Sequence, residues 1–371
     1  MRIGIITHYD VHNHGALLQL NALIKILSKQ GIQAQALQYD KNYDFLGVKL
    51  KNKYNISVKS IFFYLNYIRK EGIKKTLFNI KKKRLLDSFK KENNLIGEYY
   101  SQTNNVDAII IGSDEVFALH TGPTPILFGH ASPCKFTFSY AASFGPTTIE
   151  DIKTLNCLPL VQSGLNSLSS ISVRDINSLS IAKELTKRNI TIVCDPVILY
   201  GYTKEISLNI NIKLPPYILL YSYDKNMNKP EEIKQIKDFA KKKKLKIISI
   251  GFYHNWCDYN INSDPFKLIH YFSNAQLVIT DTFHGSVLSI ITNKEFAAKT
   301  RDNSNKLFNL LDEYNLTQRI FTDKTQLEDI FKEKINYKDV NLEIEHRRKI
   351  SNDFLLSNIE KIKNEYLFTN K

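Results

Sequence analysis

The stretch Leu277 to Ile291, LVITDTFHGSVLSII, decides the fold. Leu277, Val278 and Ile279 are apolar without alternation, the pattern of a strand covered on both faces in a parallel sheet. The polar Thr280-Asp281-Thr282 ends that run. After Phe283-His284-Gly285, the residues Val287, Leu288, Ile290 and Ile291 recur with helical spacing behind Gly285-Ser286. Strand, tight turn and helix in that order predict an α/β protein. Ligands of such sheets sit at the carboxyl ends of strands, where the free N–H groups of a helix start favour an anion. His284 stands at that junction. A lone histidine in a βα loop is more often a satisfied, partly buried side chain. Here Asp281 precedes it by three residues and Gly285 follows it, which favours a functional group.

The same grammar runs through the chain. Ile3 to Thr7 reads as a strand, followed by a loop ending in Asn13-His14-Gly15, an amphipathic helix from about Ala16 to Lys29, and a second strand over Ala34 to Tyr39. The loop ends at a glycine before a helix, as phosphate-binding loops often do, but it is not GxGxxG and carries no dinucleotide fingerprint. His8, His12 and His14 lack the carboxylate or cysteine spacing of a metal site, so no metal is expected. Asp107 to Asp114 is a strand running into the polar turn Gly112-Ser113-Asp114, and Phe136 to Gly145 is a strand running into small residues that include Ser143. Arg174 follows a short strand, and another strand ends at Asp195-Pro196. From Leu199 to Pro216 the composition suggests a hinge. Then strands at 217–223 and 246–251, helices at 231–244, 264–273 and 306–314, and a short strand at 296–299 form a second set. The expectation is two doubly wound α/β domains facing across a cleft, each with its own core. These are residues 1–200 with a basic, aromatic helical insertion at about 56–94, and residues 201–341, followed by an amphipathic helix over 342–371.

Composition narrows the function. With 371 residues, 43% of them hydrophobic, the chain supports a large core. Its formal net charge of +14 suits an anionic partner, although runs such as Lys81-Lys82-Lys83-Arg84 and Lys241 to Lys244 read as solvated helix faces. No nucleic-acid-binding signature accompanies the charge. Arginine is scarce beside lysine, so each one raises the question of a two-pronged donor. The four separated cysteines fit a reducing cytosol rather than a disulfide scaffold, and no segment is apolar enough to span a membrane. The expected location is cytoplasmic, at most peripheral to the inner membrane face.

Asn13-His14-Gly15-Ala16-Leu17-Leu18-Gln19, Gly112-Ser113-Asp114, Ser139 to Gly145, Ser172-Val173-Arg174-Asp175, Asp195-Pro196 and Asp281 to Gly285 occur in an order and spacing similar to the polysaccharide pyruvyl transferase family. The resemblance covers about residues 3 to 320. It implies a GT-B-like pair of Rossmann-like domains, with phosphoenolpyruvate as donor substrate, no other cofactor, and a sugar or lipid-pyrophosphate-linked oligosaccharide as acceptor. It implies His284 as general acid or phosphate contact, and Arg174 as a fork for carboxylate or phosphate, against a plain ion pair with Asp175. Asp114 and Asp281 become bases or groups orienting the histidine, or simply helix caps. Asn13, Gly15, Ser143, Gly285, Ser286, Arg301 and Lys306 join them as substrate-binding candidates. The donor is expected on the second domain and the acceptor on the first. The competing reading is a GT-B glycosyltransferase using a nucleotide sugar, and a third is a binding module that keeps the cleft without the chemistry.

Overall fold

The structure, a computed structural model, describes residues 1–40, 69, 71–103, 105–208, 210, 212–300, 305–323 and 325–369. Of the expected insertion, only Arg69, Glu71 and the residues from 72 onward fall among these, and Arg301 lies outside them.

In the first half, strands β1 (Arg2–Ile6), β2 (Gln33–Gln38), β3 (Ile96–Tyr99), β4 (Ala108–Ile111) and β5 (Thr137–Ser139) form a parallel sheet in the order β3-β2-β1-β4-β5. Strands β6 (Ile171–Val173) and β7 (Ile190–Ile192) pair with each other, and single bridges from Phe138 to Ser170 and from Ala142 to Val173 lay them beside β5. The second sheet is also parallel. It takes β8 (Tyr217–Tyr221), β9 (Lys246–Ile250), β10 (Tyr259–Ile261), β11 (Leu277–Thr280), β12 (Phe296–Lys299) and β13 (Ile320–Phe321) in the order β10-β9-β8-β11-β12-β13. Ile3, Ile5, Ile6 and Ala108 to Ile111 are fully buried because helices cover both faces.

The strand order reverses between β1 and β4 in one sheet and between β8 and β11 in the other. Each reversal opens a crevice at the strands' carboxyl ends. The first is flanked by the start of the helix His14–Lys29 and by Asp114, the second by Tyr223 and the start of the helix Phe283–Ile291.

The two halves share more core than the sequence suggests. Each has a private apolar cluster, one around Ile109, Phe117 and Phe144 and one around Ile218, Phe239 and Phe331. A third cluster runs through both, from Ile3 and Leu18 to Leu219 and Phe272. The expected hinge is narrower than 199–216. Tyr202 is buried, its hydroxyl donating to Leu18 O at 2.7 Å, and short helices occupy Pro196–Tyr200 and Thr203–Ser207. Helix and strand are absent only from the described residues of 208–216. The last helix begins earlier than expected, at Tyr337, and returns to the first half. Arg348 Nε donates to Ile198 O at 2.8 Å, the Ser351 hydroxyl accepts from Cys194 N at 2.9 Å, and Phe354 packs by Phe138 and Tyr140.

Candidate functional site

Thr282, not Asp281, caps the helix that carries His284: its Oγ1 accepts from Gly285 N at 2.9 Å. Asp281 instead accepts from Tyr223 N at 3.3 Å. Gly285 is required by packing, since a Cβ there would lie 2.0 Å from Thr280 Oγ1. Gly15 is required by the site itself, because a Cβ on it would meet the His284 ring at 2.2 Å. The start of the first-half helix therefore lies directly on the imidazole. Asn13 acts as its cap, accepting from Gly15 N at 2.8 Å.

Across the cleft the centre of the site is Asp195. It is 1% exposed, and its Oδ2 accepts from Arg174 Nη1 at 2.9 Å and from Gln19 Nε2, while His284 Nε2 lies 3.8 Å away. Its Oδ1 accepts from Val197 N at 2.8 Å. Asp195 lies within the Asp195-Pro196 motif, and its signal in the sequence is a carboxylate directly at a strand's end. Arg174 does not pair with Asp175, which instead caps the helix Ile176–Leu185 and accepts from the Ser143 hydroxyl at 2.7 Å. Ser143 thus serves the loop, and its Oγ also accepts from Gly145 N at 2.9 Å. The Arg174 guanidinium stacks 4.3 Å above the Phe283 ring, and its Nη2 is 3.6 Å from Asp114 Oδ1. Among the described residues, Arg174 Nε and Nη2, His284 Nε2 and Ser286 Oγ, all buried, find no hydrogen-bond partner.

Asp114 holds φ +85° at the end of the turn after β4, a left-handed conformation that costs of order 1–3 kcal/mol in a residue with a side chain. Beside it, Glu115 forms a close ion pair with Lys306 and lies 3.3 Å from His120. His8 donates from Nε2 to Glu115 O at 3.1 Å. The three expected loop histidines diverge: His12 pairs with Asp87 at 2.9 Å, and His14 donates from Nε2 to Ser263 O at 2.9 Å.

These contacts set the charge states. Burial pushes His284 down, and Arg174 and Lys306 add to that, against the opposing pull of Asp195 and Asp114; the resting imidazole stays neutral below its ordinary range. Burial pushes Asp114 up, yet Arg174, His8, Lys306 and His284 outweigh it and keep the carboxylate ionised. Lys306, pushed down by burial and up more strongly by Glu115 and Asp114, keeps its proton. The site thus gathers a forked cation, a point cation, a neutral histidine and ionised carboxylates. Arg174, Asp114, Lys306 and His284 are brought together, while Asp281 sits one layer back behind Tyr223 N.

Two parallel sheets meeting at their switch points, with the site between them, are the arrangement of the GT-B fold. A putative UDP-N-acetylglucosamine 2-epimerase from Listeria monocytogenes is similar over 98% of this chain and 97% of its own, with TM-score 0.54 and 10% identity. The S. aureus MnaA–UDP co-structure matches over 98% and 96% with TM-score 0.51 and 12% identity, and the UDP-N-acetylglucosamine 2-epimerase from Rickettsia bellii over 98% and 96% with TM-score 0.51 and 11% identity. Among curated proteins none matches the sequence. The family description polysaccharide pyruvyl transferase matches residues 13–303, and the chain belongs to that family.

Proposed function

We propose that the protein transfers pyruvate from phosphoenolpyruvate to a sugar of a cell-surface polysaccharide precursor, forming a pyruvate ketal. The observation that carries this reading is the convergence of Arg174, Lys306 and His284 on one point of the cleft, with Arg174 Nε and Nη2 and His284 Nε2 buried and without a hydrogen-bond partner among the described residues. A donor with a carboxylate and a phosphate supplies two anions for those cations. Its charge also reverses the balance at His284. With the donor bound, the depressing effect of Arg174 and Lys306 is neutralised, the pKa rises, and the ring gains the proton it needs as an acid.

The step balances as follows. His284 protonates the donor methylene to a methyl group, while a sugar hydroxyl adds to the adjacent carbon and gives its proton to a carboxylate, the role we assign to Asp114. The C–O bond to phosphate breaks, Lys306 and Arg174 hold the departing phosphate, and of the two hydroxyl protons one leaves on that phosphate while the other returns to His284. A second hydroxyl then adds to the same carbon, closing the ketal and releasing its proton. Phosphate is the sole co-product.

Calorimetric titration with phosphoenolpyruvate, UDP-sugars and GDP-sugars tests the reading on the parent and on Arg174→Lys. Phosphoenolpyruvate should bind the parent and lose about 10²-fold in affinity in the variant, where a bidentate contact becomes a point charge. Binding of a nucleotide sugar at this site, with none of phosphoenolpyruvate, would replace the proposal with a glycosyltransferase.

A further inference from the structure

Lys82 departs from the solvated face that its lysine run suggests. On the helix Ile73–Glu92, Lys81 and Lys83 are exposed, whereas Lys82 turns toward the second sheet and places Nζ 4.2 Å from the centroid of the Phe252 ring. The helix is fixed there from several directions. Phe78 meets Tyr253 at 5.6 Å, Phe89 meets Phe266 at 4.9 Å, and Asn262 Nδ2 donates to Phe78 O at 2.8 Å. Among the described residues, Lys82 has no hydrogen bond and no ion pair. The carboxylate acting on it, Asp224, is already engaged: it accepts from Tyr253 N at 2.8 Å and faces Lys75 at 3.9 Å. Burial pushes the Lys82 ammonium down to about 8, and Asp224 restores only part of the loss. A largely buried cation whose nearest carboxylate is committed to other partners is a costly arrangement that an incoming anion relieves.

The surroundings are equally unsatisfied. His14 feels the Lys82 charge, and because its Nε2 donates to a carbonyl, its Nδ1 is left as a bare acceptor. That Nδ1 and the hydroxyls of Ser222 and Ser263 are buried without hydrogen-bond partners among the described residues. Tyr223, 43% exposed and edge-on to Phe252 at 5.4 Å, leads from this patch to Lys306 and Asp114. Gly15, the neighbour of His14 in the chain, leads to His284.

We infer that Lys82, His14, Ser222, Ser263, Phe252 and Tyr223 form an acceptor subsite that takes the sugar by a phosphoryl group, with the phosphate on Lys82 and sugar hydroxyls on the unpartnered polar atoms. The inference rests on the proposed transfer at His284, since it names the acceptor of that reaction. A lysine ammonium, a point charge, suits a tetrahedral oxyanion; a planar carboxylate matches the fork of an arginine better. The phosphoryl group belongs to a nucleotide sugar or to a lipid-linked sugar diphosphate.

The full chain is titrated calorimetrically with UDP-N-acetylglucosamine, farnesyl-diphosphate-linked N-acetylglucosamine, the neutral methyl glycoside of N-acetylglucosamine, and phosphoenolpyruvate, as the parent, Lys82→Met, Lys82→Arg and the exposed control Lys83→Met. At least one phosphorylated sugar should bind the parent, weaken about 10- to 100-fold in Lys82→Met, and stay within about tenfold in Lys82→Arg and Lys83→Met. The neutral glycoside and phosphoenolpyruvate should be indifferent to Lys82. The tighter of the two phosphorylated sugars identifies the source of the phosphate. Failure of both to bind the parent, equal binding by Lys82→Met, an equal loss for the neutral glycoside, or loss of phosphoenolpyruvate in Lys82→Met would each overturn the inference. If a phosphorylated sugar binds through Lys82 while phosphoenolpyruvate does not bind the parent, the donor reading fails and the subsite stands.

Discussion

His14 and His284 lie on either side of one glycine, and burial depresses both imidazoles, yet their surroundings differ in kind. His14 is fully buried, satisfied on Nε2 by the Ser263 carbonyl, and pushed down to about 3 by burial and by Lys82. His284 keeps 12% of its side chain exposed and faces two carboxylates and two cations whose effects oppose one another. The first histidine joins the halves of the protein and is locked neutral. The second sits in a balance that one bound anion tips. Depressed basicity therefore marks burial in both places, and only the opposing charges mark chemistry.

That contrast is open to direct attack. Removing the acid, as in His284→Ala, should lower turnover by about 10²- to 10⁴-fold while leaving the melting temperature within a few degrees. His14→Ala should lower stability by about 2–4 kcal/mol through the lost bond and the cavity, and by removing an acceptor contact should raise the acceptor KM, while kcat of the folded fraction at saturation stays within about tenfold of the parent. Equal turnover losses in the two variants would erase the distinction. Gly15→Ala places a methyl group against the His284 ring and should cost about 10²-fold in turnover with a smaller loss of stability, read from kcat beside a thermal melt.

A finer test uses Asp195, which raises the pKa of His284 and receives Arg174. In Asp195→Asn the imidazole loses that support and its pKa falls. The alkaline limb of the kcat profile, where the acid is lost, should move toward acid. An unmoved limb would remove Asp195 from the site. The smallest effect belongs to His14. Its folded value near 3 lies below the unfolded value of about 6.5, so below pH 6.5 the unfolded chain binds the extra proton and stability falls with pH. From pH 7.5 to pH 5 the loss should be about 2 kcal/mol in urea unfolding, and His14→Gln should flatten that slope.

Much of this was legible in the sequence. The apolar runs at Ile3, Ile109, Leu219 and Val278 specified the parallel strands, and the polar turns after them specified where the site lies, because both are local signals. Asp195 as the centre was not legible. Its partners, Gln19, Arg174 and His284, stand 176, 21 and 89 positions away, and only the folded sheets bring them together. Lys82 was concealed for the opposite reason, since its neighbours are exposed and composition cannot tell which lysine of a run turns inward. Short elements such as β3, β10 and β13, and the helices Ile149–Thr154, Pro196–Tyr200 and Thr203–Ser207, carry too few residues for periodicity to register.

The returning helix Tyr337–Thr369 has a consequence for synthesis. Phe138, Tyr140 and Cys194 belong to the first half, and part of their cover comes from Ser351 and Phe354. While the ribosome is still translating the second sheet, that apolar face of the nascent first half stays open to water and to other chains. The first half therefore finishes folding last, although its strands are made first, and a chain cut before Tyr337 would leave a sticky groove where a finished protein has a seam.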